Sequence, residues 1–595
     1  MTSKLGKINL LIIFATFIIL PIFALPITSD HVEIPKSFLI IISTTMAIFL
    51  ATTNHFCGNY FLRLPSKIFL SLLALVELLL FTSLFKSQSV GTSLSSFNFW
   101  LLIFLPALFI IIGSAREKII VRLEKITPIT GIITAIIGTA FYLNSVNIIA
   151  DTTQASIFFA IIIIFCLTQR SKPNTTFPVN PRPRPHLEGG LKFNKVTKFT
   201  CLILSCLSFL IFNPLTNTIF SSKMPQPLVL DFKTSSEIFF STFRDFPLFG
   251  IGPDLYKTAF HLYKPLSFNQ SQYAFLSFTQ GLNFWLTLST QYGTPLSLSL
   301  LSLFSLISLS IIKKMLFIGV DVPIRLSFLL LFASSFFLNL GPTLLYLLFF
   351  LAALNLPFEG KMPRAAVFIL PVTALVVTIA VGINFTADIF YALAANGKSQ
   401  KDETTFAFYK RAITLNPRND VYRKSLAESY LTLATVLKNQ KDLSALRRAD
   451  IETLIKRSLV EAKAAVDLSP LESDNYRTAG LIYTNLIGAV TDAAGEGKRL
   501  LERAISLNPY DPLLRLDLAS LYAANGQEET ATDIIRGAIK LKGDYVSGRY
   551  QLSRLLVKLK KYREAKEEYR LTLNTIANRN SLLYQKIEKE MGEIH

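Results

Sequence analysis

Residues 501–522 read "LERAISLNPYDPLLRLDLASLY". Ala504 stands five positions before Pro509, and Tyr522 follows that proline by thirteen. Proline lacks an N–H and closes a helix, so one helix ends near 508 and another begins just beyond Pro509. The small Ala504 lets two helices approach closely, and the aromatic Tyr522 on the next helix fills the gap.

The same arrangement returns in "YKRAITLNPRNDVYRKSLAESY" at 409–430, "EAKAAVDLSPLESDNYRTAGLIY" at 461–483 and "IRGAIKLKGDYVSGRYQLSRLL" at 535–556. Ala412, Ala465 and Ala538 precede Pro417, Pro470 and Gly543 by five positions, and Tyr430, Tyr483 and Leu556 follow them by thirteen. The last two copies are 34 residues apart, whereas the phase slips between the earlier ones, which predicts inserted or lengthened helices there. This pattern resembles tetratricopeptide repeats, and "KKYREAKEEYRLTL" with "YQKIEKEMGEIH" reads as a further helix and a closing cap. The resemblance implies an α-solenoid over 398–595 whose concave surface takes a protein or peptide partner. No nucleophile and base pair stands out in it.

Upstream the composition changes. Of 595 residues 51% are apolar, and the apolar windows concentrate before about 390, each long enough to cross a bilayer, which takes roughly 20 residues. Eleven spans are predicted, near 8–27, 38–56, 67–86, 98–114, 128–146, 153–168, 198–215, 284–312, 323–338, 341–357 and 365–386. The first follows Lys4 and Lys7 like a signal peptide, but its full length and the many spans behind it favour a retained anchor. Loops such as "AREKIIVRLEK" and "KKMLFIGVDVPIR" alternate with "SQSVGTSLSS" and "SVNIIADT", which lack positive charge. Basic loops stay inside, so the expectation is an integral cytoplasmic (inner) membrane protein with its N-terminus in the cytoplasm and its repeats outside.

The predicted organisation is all-α. An N-terminal transmembrane bundle covers 1–215, an outer polar loop 216–283, further transmembrane helices 284–397 and the soluble repeat domain 398–595. The net charge of +20 gathers in short loops as topology information, and no basic stripe with interleaved aromatics marks a nucleic-acid partner. Cys57, Cys166, Cys201 and Cys206 lie in or beside apolar windows, which gives neither a disulfide framework nor metal-ligand spacing. A transporter is disfavoured because the spans hold almost no charged residue. The 170–197 segment, with "NPRPRP", reads as a proline-rich connector.

The polar loop contains "RDFPLFGIGPDLYKTAFHLYK" at 244–264. Gly250 and Gly252 can take positive φ and Pro253 can begin a helix, whose free N–H groups favour an anion such as a diphosphate. Arg244, Lys257 and Lys264 can add charge-assisted bonds to it. His261 is the obvious neutral-pH base of the segment.

The run "FPLFGIGPDLY", followed by Asn283, Leu286 and Gly293 at an apolar helix start, resembles the O-antigen ligase and O-antigen polymerase family of membrane glycosyltransferases. The resemblance implies a GT-C-like helical bundle of about eleven spans. It also implies transfer of a glycan from an undecaprenyl-diphosphate lipid to a lipid, glycan or protein acceptor at the outer face. The partners would be a lipid-linked oligosaccharide and membrane lipids. On this reading His261 and Asn283 are the catalytic candidates, and Arg244, Gly250, Gly252, Lys257 and Lys264 bind the lipid diphosphate. No cofactor is implied, and no metal, since no carboxylate cluster marks the loop.

The chain departs from that family's pattern before Asn283, where "FLSFTQGLN" offers Ser277, Thr279 and Gln280 in place of a basic residue. Glycan transfer needs a stabilised diphosphate and a deprotonated acceptor, and neutral side chains supply neither well. The competing reading is a catalytically degenerate relative that anchors an exported repeat scaffold.

Overall fold

The computed structural model describes residues 4–58, 62–143, 152–168, 195–212, 228–315, 322–397, 403–438, 445–488, 490–579 and 581–594. Much of the 170–197 connector and the start of the outer loop, up to 227, lie outside the described residues. Helices dominate, and the strands among the described residues are Arg63–Pro65 and Phe358–Lys361, which pair antiparallel. The chain divides into two units.

The first unit gathers Met1–Phe85, Ser96–Leu230 and Gly281–Ile389. Among the described residues six helices are long and apolar enough to cross a membrane: Lys4–Ile22, Glu33–Phe56, Lys67–Phe85, Phe97–Ser114, Thr294–Lys313 and Arg364–Ala395. Shorter apolar helices, Ile126–Ile137, Gln154–Leu167, Phe199–Phe209, Val322–Ser334 and Pro342–Asn355, stand in the other five predicted windows. All 14 residues of Pro342–Asn355 are buried. A helix apolar on every side is buried on every side. Lys36 and Asp388 lie in these helices but outside the predicted windows 38–56 and 365–386, whereas Glu77 lies inside its window.

The window predicted as one span over 284–312 is two helices, Phe284–Tyr292 and Thr294–Met315. Gly293 separates them at φ 87°, a conformation that closes a helix and strongly favours glycine. Asn283 caps the first of the two, its side-chain oxygen accepting from Leu286 N at 2.9 Å while its amide donates to Phe336 O at 2.8 Å.

The second unit gathers Lys86–Ser95, Asp231–Gln280 and Phe390–His595. Its bulk is a run of helices that pack on their sequence neighbours as antiparallel pairs: Asp420–Lys438 with Ala445–Leu468, Ser473–Asn485 with Ala493–Leu507, Pro512–Ala524 with Glu528–Leu541, and Val546–Lys558 with Tyr562–Thr575. Glu403–Leu415 precedes them and Leu582–Gly592 closes the stack. Ala412, Ala465, Ala504 and Ala538 are all fully buried, as close helix approach requires. This is a stack of tetratricopeptide-type repeats.

The predicted phase slips have visible causes. The helix Ala445–Leu468 is 24 residues long, which lengthens the first interval, and a turn with Gly488 at φ 83° and Asp492 at φ 60° enlarges the second. The unit also starts earlier than 398. The helix Arg364–Ala395 is 32 residues long, more than the roughly 20 that a bilayer needs. Its last turn and a half belong to the repeats: Phe390 stacks on Phe408 and Tyr391 on Tyr422, with centroids 6.1 and 4.9 Å apart.

Candidate functional site

The polar segment is built from its caps inward. Asp231 accepts from Thr234 N at 3.0 Å and starts the helix Phe232–Asp245. The chain then turns through Gly250 (φ 63°), Gly252 (φ 131°) and Asp254 (φ 62°). Gly250 and Gly252 thus take the positive φ read from the sequence. Pro253 does not begin the helix, because left-handed Asp254 postpones it to Tyr256–Tyr263. The turn is held by the 86–95 segment: Gln88 N donates to Ile251 O at 3.1 Å and Ser93 Oγ to Pro253 O at 2.8 Å. A Cβ on Gly252 would lie 2.1 Å from Ser87 Oγ.

From Lys257 onward the segment runs along the turns that join each helix pair to the next. Lys257 Nζ is 2.5 Å from Asp474 Oδ2 and 3.4 Å from Glu472 Oε1. Thr258 Oγ1 donates to Glu472 Oε2 at 3.0 Å. His261 is buried, with Nε2 2.8 Å from Ser277 Oγ and Nδ1 3.2 Å from Ser473 Oγ. Further along, Asn269 donates to Tyr510 O at 2.6 Å and accepts through its own carbonyl from Lys542 Nζ at 3.1 Å. Phe275 meets Tyr545, with centroids 5.3 Å apart.

The 86–95 segment docks on the same edge. Ser89 Oγ donates to Leu468 O and Thr92 Oγ1 to Asp420 Oδ1, each at 3.0 Å. Between these pieces lies a cavity of about 200 Å³, lined among others by Thr92, Lys257, Thr258, Asp420, Lys424 and Glu472. His261 and Lys264 do not line it.

The electrostatics follow from this packing. Burial pushes the Glu472 carboxyl up, but Lys257, His261 and Lys424 outweigh it and hold the group well below the usual carboxylate range. Burial pulls the Lys257 ammonium down, and Glu472 and Asp474 more than offset it, leaving it above the ordinary lysine range. Lys264 is buried with Nζ 5.6 Å from the Phe260 ring centroid, and desolvation lowers it, partly opposed by Asp511 and Asp474. Arg244 is exposed and bonds Asp245 at 2.8 Å, which Tyr263 also reaches at 2.7 Å. The ligand atoms of His261, Glu472 and Asp474 lie within 4.8 Å of one another, a spacing a metal could use. The positive charges that these carboxylates face are the ammonium groups of Lys257 and, 3.9 Å from Asp474, Lys424.

Of the sequence candidates, Lys257, His261 and Lys264 thus share one helix and its end, docked on the repeats. Arg244 closes a different helix, and Asn283 caps a helix of the first unit. Sequence reasoning missed Glu472, Asp474, Asn269 and the 86–95 segment. Two acids one residue apart in "PLESD" are a local signal, yet nothing in the sequence ties them to a lysine more than two hundred positions earlier. A second missed feature was legible: Arg423, Arg515 and Arg549 stand six positions after Pro417, Pro509 and Gly543 and donate to their carbonyls at 3.4, 2.6 and 3.0 Å.

No family model matches the chain, and no curated protein matches it. Solved structures do match, over about a third of the chain. TTC0263, a thermophilic TPR protein of Thermus thermophilus, is 19% identical with a TM-score of 0.27, over 36% of this chain and 98% of its own. MamA is 18% identical with a TM-score of 0.22, over 29% and 87%. YrrB, a TPR protein with an unusual peptide-binding site, is 14% identical with a TM-score of 0.26, over 37% and 97%. The repeat fold of this chain stands on its own helix pairing and its four buried alanines.

Proposed function

We propose that the protein is a membrane-anchored scaffold whose tetratricopeptide-type repeats present a surface to a protein or peptide partner. The observation that carries this reading is the fate of the loop's chemistry: Lys257, Thr258, His261 and Asn269 are bonded to the turns of the repeats. A lysine already neutralised by two carboxylates has little charge left for a diphosphate. The loop then serves as a brace along one edge of the stack. The recognition surface belongs to the helices themselves, where Arg477 pairs with Asp517 at 2.6 Å and Thr478 with Glu428 at 2.9 Å across successive pairs. The charge alternation of the loops supports anchoring in a cytoplasmic membrane with the repeats outside.

A second reading, glycan transfer from a lipid diphosphate, draws on the cavity of about 200 Å³ beside Lys257, whose hydroxyls and carboxylates suit a polyhydroxylated ligand. Two assays on the full chain in lipid nanodiscs separate the readings. The scaffold predicts no release of labelled glycan from lipid-diphosphate carriers. It also predicts that a photo-crosslinker at Tyr476 captures one discrete protein from the native membrane fraction, with capture lost in Arg477→Ala. Wild-type turnover that disappears in Lys257→Ala overturns the scaffold in favour of transfer.

A further inference from the structure

The helix Phe232–Asp245 is inside out. Its buried positions are Thr234, Ser235, Ile238 and Thr242, three of them hydroxylic. Phe232, Phe240 and Phe243 are instead 64%, 64% and 44% exposed, and Leu248 just beyond the helix is 58% exposed. At 3.6 residues per turn Phe232, Phe239, Phe240 and Phe243 fall within an arc of about 100°. Their rings touch one another, Phe239 lying 5.1 Å from Phe240 and 6.1 Å from Phe243. Lys233, Glu237 and Arg244 border one long edge of this stripe, and Arg244 is paired with Asp245 at 2.8 Å. An aromatic stripe left facing outward by a folded chain marks a surface that something else covers.

We infer that a lipid bilayer covers it: Phe232–Asp245 lies flat in the membrane interface, its phenylalanines among the acyl chains and its charged edge at the headgroups. The inference rests on the membrane reading above and extends it to a segment that spans nothing. Two observations select lipid over a protein occupant. The helix lies in sequence between two apolar helices, Lys195–Phe212 and Thr294–Met315, so the chain on either side returns to the apolar half within a few tens of residues. Its outward aromatic stripe beside a charged edge is that of an interfacial amphipathic helix, while its 14 residues are too few to cross a bilayer.

The test uses the full chain with its four native cysteines replaced by serine, in vesicles of phosphatidylcholine and phosphatidylglycerol. Single cysteines replace Phe240, Phe243, Leu78 or Glu588, each labelled with bimane, and dibrominated acyl chains serve as quencher. Leu78 is an exposed residue inside Lys67–Phe85, and Glu588 is an exposed residue of the last helix. The expected result is quenching at 240 and 243 of at least half that at 78, with none at 588. Quenching at 78 but not at 240 and 243 overturns the inference alone and assigns the stripe to a protein partner or a second copy. No quenching at 78 overturns the membrane reading and the inference together.

Discussion

Lys257 Nζ lies 2.5 Å from Asp474 Oδ2 although 217 positions separate the two residues. Each side chain is about two-thirds buried, and Glu472 stands on the other flank of the ammonium at 3.4 Å. Lys257→Ala removes the nearer ammonium and leaves Glu472 and Asp474 with Lys424, 3.9 Å from Asp474 Oδ2. The brace should loosen by about 1–3 kcal/mol, the usual cost of stranding a buried polar partner. Hydrogen exchange over 256–270 in the full chain measures this. Protection unchanged from wild type would show that the pair contributes nothing to docking, and the swap Lys257→Asp with Asp474→Lys should recover part of the loss.

The same pair fixes a pH window. Glu472 and Asp474 are held below the ordinary carboxylate range, so their contribution is complete above about pH 4 and fades as pH falls through the depressed values. Lys257 is held above the ordinary lysine range, so its contribution is complete below about pH 10 and fades as pH rises through the raised value. Proteolytic resistance of the 246–280 segment should therefore be flat from about pH 5 to 9. A transition inside that window would mean that some other group controls docking.

Gly252 tests the turn. Its φ of 131° is one that side chains rarely adopt, and an added Cβ meets Ser87 at both Oγ and Cβ, 2.1 and 2.8 Å away. Gly252→Ala should cost about 1–3 kcal/mol and free the 86–95 segment, read as new protease cleavage there. Wild-type resistance would show that the turn relaxes without strain.

Much of the fold was legible and the reason is locality. The alanine to proline spacing acts within one helix pair, so Ala412, Ala465, Ala504 and Ala538 could be placed without any distant information, and all four are buried. The arginines that donate to the carbonyls of Pro417, Pro509 and Gly543 were equally local and simply went unread. The candidate site was not legible because its bonds are long-range. Nothing in "SQSVGTSLSS" announces that Ser89 and Thr92 bond to Leu468 and Asp420, and nothing near Asn269 names Tyr510. Two local readings fell to backbone conformation: Asp254 at φ 62° delayed the helix expected at Pro253, and Gly293 divided a window whose hydropathy alone is continuous.

Gly543 occupies the position that holds proline in the other three copies. The residue before it, Lys542, is extended at φ −144° and ψ 100°, which a following proline requires, and a Cβ at 543 meets nothing within 4 Å. Gly543→Pro should stabilise the repeats by about 0.4–1 kcal/mol through the unfolded chain, visible as a higher melting temperature in detergent. A lower one would point to an amide at 543 that the folded state uses.

Synthesis order gives the brace one more consequence. Thr258 and its acceptor Glu472 are 214 positions apart, and the later partner emerges last. At about 5–20 residues per second the loop leaves the ribosome roughly 10–40 s before its dock exists. During that interval Lys257, His261 and Asn269 face water or lipid headgroups, and the nascent chain must hold them there without committing to another contact. The repeats are thus translated after the segment that they hold.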